Sequence, residues 1–126
     1  MFKRIDHVEI VPSHFEKTIE FYMHILNFKL KERRKVAMSP LEEIVYLELN
    51  GTVVELMSVQ NAAPLSEEPW RVGYHMIALE VEDMDRAIGY LRSKGVEISW
   101  GPVTLGNSKR AEIKDPNGLS IELRQW

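Results

Sequence analysis

The sequence predicts an α+β domain made of two βαβββ modules. Three observations carry that prediction. Strand-like and helix-like segments follow one another in the same order twice. Four features recur at almost constant separation: 68 residues divide His7 from His75, Tyr22 from Tyr90 and Asn27 from Gly95, and 67 divide Glu55 from Glu122. One such match is easy by chance, but four in register with a single one-residue gap point to an internal duplication. Finally, 126 residues suit one shared core better than two independent ones. The expected layout is a single domain over residues 1–126, with module 1 at 1–60, a linker at 61–72 and module 2 at 73–126.

The elements follow in order. "IDHVEIV" (5–11) is rich in β-branched residues and reads as a strand. Ser13 with Glu16 three residues on forms a capping box at a helix start. Phe15, Ile19, Tyr22 and Leu26 then give one apolar stripe, ended by Asn27, which tolerates the left-handed conformation past a helix end. "FKLKERRKV" (28–36), "EEIVYLEL" (42–49) and "TVVELMSV" (52–59) read as strands, the last two joined by an Asn-Gly hairpin. "QNAAPLSEEPW" (60–70) has two prolines and no period. "GYHMIALEV" (73–81) opens the second module. Asp83 caps a helix with Met84, Ala87, Ile88 and Leu91 on its apolar face, and Gly95 stops it. "VEISW" (96–100), "SKRAEIK" (108–114) and "LSIELRQW" (119–126) complete the count, with a turn at "DPNG" (115–118).

Composition removes several function classes. The 44% apolar and 28% charged residues are those of an ordinary soluble globular protein. A net charge of −3 with no basic block argues against nucleic acid as a partner. Without cysteine there are no disulfides, thiolate metal sites or Cys nucleophiles, and a cytoplasmic home is expected. No apolar run has the roughly 18 residues of a membrane span, and the N-terminus lacks a signal-peptide core, so no membrane partner is expected.

Four residues break the apolar pattern. Each module has a histidine early in its first strand, His7 or His75, and a glutamate in its last, Glu55 or Glu122. Alternation puts Glu55 on a face with Val53 and Met57, and His75 on a face with Ile77 and Leu79. Taken singly, each is most simply a solvated or hydrogen-bonded strand residue. Symmetry changes the weighting: two modules packed about a pseudo-twofold bring equivalent positions together, and two His with two Glu form a shell for one divalent ion of Zn, Ni, Co, Fe or Mn. His14 and His24 fall off the apolar stripe and read as surface residues.

These motifs identify a resemblance. With "DHVEIV", "FEKTIEFYMHILNF", "VVELMSV", "YHMIALEVEDMDRAIGYLRSKGVE" and "DPNGLSIEL", the chain resembles, over essentially its whole length, the vicinal oxygen chelate superfamily. That group includes glyoxalase I, methylmalonyl-CoA epimerase, extradiol dioxygenases and the fosfomycin- and bleomycin-resistance proteins. The resemblance implies a cupped, incompletely closed mixed sheet around one metal, a homodimer, and His7, Glu55, His75 and Glu122 as ligands, a set most like glyoxalase I. Val11 and Val59 stand four residues after the first two ligands, where relatives grip glutathione with polar side chains, so glutathione is not the expected handle.

A four-coordinate closed shell is structural, so catalysis requires a metal with further open positions. There it serves as a Lewis acid for a substrate offering two adjacent oxygens, and a carboxylate, Glu122 or its counterpart Glu55, removes the proton next to the carbonyl. Glu9, Met57, Ile77 and Arg124 are the expected substrate-binding wall, with Tyr46, Glu48 and Trp126 as additions. Arg124 is the natural partner for a carboxylate or phosphate. The expected activity is a glyoxalase-like lyase or isomerase on a small molecule. The alternatives are a methylmalonyl-CoA epimerase-like enzyme, a ring-cleaving dioxygenase, or a drug-binding resistance protein without catalysis.

Overall fold

The computed structural model describes all residues, Met1–Trp126. They form two compact units, Met1–Pro64 and Leu65–Trp126. In the first, β1 (Val8–Ile10) precedes α1 (Phe15–Glu20), which continues as a π-helical turn at Phe21–Ile25. Three strands follow: β2 (Lys29–Met38), β3 (Leu41–Leu49) and β4 (Thr52–Val59). In the second, β5 (Ile77–Glu80), α2 (Met84–Ser93), β6 (Ile98–Leu105), β7 (Ser108–Lys114) and β8 (Ser120–Gln125) repeat the order. The sheets have the same topology, β1-β4-β3-β2 and β5-β8-β7-β6. The first strand of each runs parallel to the last, and all other pairs are antiparallel. Neither sheet closes on itself.

Local chemistry explains the elements. Asn50 and Gly51 both take positive φ, 48° and 85°, as a two-residue hairpin turn between twisted strands demands. Alternation then buries Val54 and Leu56 with Val45 and Leu47 on one face, where Thr18, Ile19 and Tyr22 of the first helix are also buried. In the second unit Asp83 accepts from the Arg86 amide at 3.1 Å and starts α2. Met84, Ile88 and Leu91 are buried there, as are Ala111, Ile113, Ile121 and Leu123 of the sheet. Asp115 holds the "DPNG" turn by accepting from the amides of Asn117 and Leu119.

Three expectations are corrected. The first helix starts at Phe15 with His14, one residue past Ser13, as N-cap. The Glu16 carboxylate binds Arg33, which also binds Glu43 and lies over the Phe15 ring. A full guanidinium charge is a stronger partner than one backbone amide. The strand expected at 73–81 begins only at Ile77. The strand expected to end at Trp100 runs on to Leu105, bent by register shifts on either side of Trp100. Gly101 takes φ 79° at this bend, and a Cβ there would lie 2.7 Å from the Arg110 carbonyl oxygen.

The repeat register also differs from the sequence match. The helix N-caps His14 and Asp83 are 69 residues apart, and so are the buried pairs Ile19/Ile88 and Tyr22/Leu91. Tyr90, matched to Tyr22 in sequence, is exposed. The offset returns to 68 only past the helix. The Phe28 amide reaches back six residues to the Tyr22 carbonyl, whereas the Val96 amide reaches back five to Leu91. The π-helical turn in the first unit absorbs the extra residue.

Candidate metal centre

In the first sheet, the cross-strand row through the centre of β4 is polar. Glu9 of β1 pairs with Glu55, which on its other side pairs with Tyr46. Glu55 is a buried carboxylate, 5% exposed, on the face opposite Val54 and Leu56. His7 lies just before β1, and its Nε2 is 3.4 Å from Glu55 Oε2 and 3.5 Å from Glu9 Oε1. On the other side of the ring, Nδ1 is 2.8 Å from Asp6 Oδ2. The Asp6 hydrogen bond holds the imidazole above its usual pKa, with Glu9 and Glu55 adding to the effect. The same hydrogen bond holds Asp6 below the usual carboxylate range. Tyr46 hydrogen-bonds to Glu55, which raises its phenol pKa, and sets its ring edge-on to His7 at 5.5 Å. Met57 follows on the Glu55 face, paired with Ile44.

The donor set fits a divalent ion. His7, Glu9 and Glu55 offer one nitrogen and two carboxylate oxygens within 4.8 Å of one another. Two donors about 2.1 Å from one metal at a tetrahedral angle are about 3.4 Å apart, which is the spacing seen from Nε2. Asp6 on Nδ1 orients the ring so that Nε2 faces the carboxylates, the usual outer support of a metal-binding histidine. A buried carboxylate also needs a cation or several donors to offset its lost hydration.

In the second unit the corresponding row is Ala78, Glu122 and Glu112. Glu122 is bound by Arg124 at 3.0 Å. The Arg124 guanidinium lies 4.9 Å from the Trp126 ring, and its buried Nε has no hydrogen-bond partner. Ile77 and Leu79 pair with Ile121 and Leu123, so Ile77 is on the face opposite Glu122 and not beside it, as alternation from His75 suggested. His75 precedes β5, is exposed, and stacks on Trp70 with centroids 4.9 Å apart and planes 20° apart. His14 and His24 are exposed, as expected. Sequence reasoning missed Asp6 and gave Glu9 a substrate role. The signals were the adjacent Asp-His pair and the two-residue step from His7 to Glu9, which on a strand returns to the same face.

Residues 4–123 match the Glyoxalase/Bleomycin resistance protein/Dioxygenase superfamily, and the chain belongs to it. YwkD of Bacillus subtilis is 31% identical, with 98% of this chain and 97% of that protein covered. The lactoylglutathione lyase GLX1 of Arabidopsis thaliana is 29% identical over 98% of this chain, which spans 44% of that longer protein. Among solved structures, a glyoxalase family protein from Enterococcus faecalis superposes with a TM-score of 0.85 at 25% identity, covering 98% of both chains. The fold is thus the glyoxalase-like α+β fold of two modules. No helix is long and apolar enough to cross a membrane.

Proposed function

We propose that the chain is a metal-dependent, glyoxalase-like lyase or isomerase that moves a proton next to the carbonyl of a small substrate presenting two adjacent oxygens. One observation carries this reading: the buried Glu55 carboxylate facing an imidazole that Asp6 orients. Membership in the superfamily and the similarity to a lactoylglutathione lyase support it. His7 and Glu55 would hold one divalent ion of Ni, Zn, Co, Mn or Fe. Bound there, the ion supplies Lewis-acid polarisation of the substrate oxygens. Glu122, the repeat counterpart of Glu55, takes and returns the proton, and Arg124 holds its carboxylate in place. Glu55 is the alternative base. Tyr46 keeps Glu55 oriented, and Met57 and Arg124 contribute to the substrate wall.

Val11 and Val59 leave no polar grip for a peptide carboxylate, so the glutathione hemithioacetal of methylglyoxal is a poor substrate in this reading and another thiol adduct or acyl thioester is preferred. The epimerase-like alternative uses the same proton transfer, and Arg124 favours it as a bidentate partner for a carboxylate or phosphate. A homodimer accords with both readings. The sheets end in open edge strands, and Phe2, Ile5, Trp70, Val72 and Tyr74 are exposed. A cytoplasmic location belongs to the same reading.

The test is Glu122→Gln, assayed by solvent deuterium entering substrate in metal-loaded enzyme. As base, Glu122 is worth at least about 10² in kcat, the lower end for general-base catalysis. Exchange at the normal rate with metal bound would transfer the role to Glu55.

A further inference from the structure

We infer that Glu9, not His75, is the third protein ligand, and that His7, Glu9 and Glu55 hold the divalent ion on the first unit alone. The inference rests on the metal-dependent reading above and deepens it. In the first sheet Glu9 pairs with Glu55, and His7 stands two residues before Glu9. In the second, Ala78 pairs with Glu122, and the residue two before Ala78 is Met76. The position equivalent to His7 is therefore a thioether, and the position equivalent to Glu9 is a methyl group. The N-caps give the same 69-residue offset independently. His75 is one residue out of step, outside the strand, with its ring stacked on Trp70.

The duplication is thus broken asymmetrically. The second unit lacks an in-register nitrogen ligand. The first has gained a carboxylate beyond the pair that symmetry requires, and that carboxylate is 3.5 Å from His7 Nε2, nearly the same separation as Glu55. One neutral imidazole and two carboxylates carry the two negative charges that balance a divalent cation. A set with two oxygens and one nitrogen suits harder ions such as Mn²⁺, and also Zn²⁺. Three protein donors leave positions open for substrate, which four would fill in a tetrahedral ion.

The test is calorimetric titration of the metal-free full-length protein with Mn²⁺, and separately Zn²⁺, using wild type, Glu9→Gln and His75→Ala. Glu9 and His75 are both exposed, so both variants should fold, with circular dichroism as the check. The expected results are one ion per chain in wild type, His75→Ala within twofold of it, and Glu9→Gln at least about 10-fold weaker, since even an outer partner of a ligand is worth 10–100-fold. Loss of binding in His75→Ala with normal binding in Glu9→Gln overturns the inference while sparing the metal-dependent reading. Normal binding in both variants also overturns it. No binding by wild type overturns both.

Discussion

Asp6 offers the sharpest test of how the site is tuned. Its carboxylate accepts from His7 Nδ1 at 2.8 Å and lies 3.9 Å from the Arg4 guanidinium. Asp6→Ala removes both the orienting hydrogen bond and the charge, while Asp6→Asn keeps an acceptor and removes only the charge. The Asp6 side chain is 81% exposed, so water replaces much of what the hydrogen bond contributes. The expected loss is therefore about tenfold in affinity, the lower end of the range for outer partners of metal ligands. Competition against a chelator of known affinity should therefore show Asp6→Ala binding Zn²⁺ about 10-fold more weakly, and Asp6→Asn about threefold, between the two. Ring ¹⁵N shifts of His7 should show the Nδ1-protonated form dominant in metal-loaded wild type and in Asp6→Asn. Asp6→Ala binding within twofold of wild type, with unchanged ring shifts, would refute the claim that Asp6 sets the ligand's orientation.

Two further outcomes follow from the first sheet and the second. Arg33 holds the Glu43 carboxyl below its usual value of 4.5. A depressed folded pKa gives stability that is fully present above the unfolded value and lost as pH falls through the folded one. Arg33→Gln should cost about 1 kcal/mol at pH 7, since both partners are partly exposed, and its thermal-melt difference from wild type should shrink below pH 4.5; an undiminished difference at pH 3 would contradict the pairing. Gly101→Ala puts a Cβ against the Arg110 carbonyl at a positive φ, so it should destabilise by more than about 1 kcal/mol in denaturant titration, and a neutral result would mean the bend in β6 is not needed.

The sequence was most informative where a pattern has one dominant physical cause. The Asn50-Gly51 hairpin, the Asp83 cap and the alternation through Val54, Glu55 and Leu56 each follow from local sterics or burial, and each is where the residues indicated. Register was harder to read because it depends on a count. The π-helical turn at Phe21–Ile25 adds one residue with no change in apolar pattern, so Tyr22 seemed to match Tyr90 when its buried counterpart is Leu91. The same one-residue ambiguity matched His7 to His75, since two histidines at equal spacing from two tyrosines look like a stronger signal than a methionine. The Glu16 partner Arg33 is 17 residues away and invisible to a local capping rule. Glu9 and Asp6 needed three dimensions, because carboxylates beside a strand histidine are ordinary surface residues until Nε2 and Nδ1 are seen facing them.

The central claim, a divalent ion bound on His7 and Glu55, is tested most directly by anomalous diffraction from crystals grown with Mn²⁺ or Zn²⁺, collected on both sides of the metal's absorption edge. One strong peak per chain is expected at about 2.0–2.2 Å from His7 Nε2 and a Glu55 carboxylate oxygen, the ordinary range for such bonds. Saturating metal with no peak beside these two residues, or a peak elsewhere only, would contradict it.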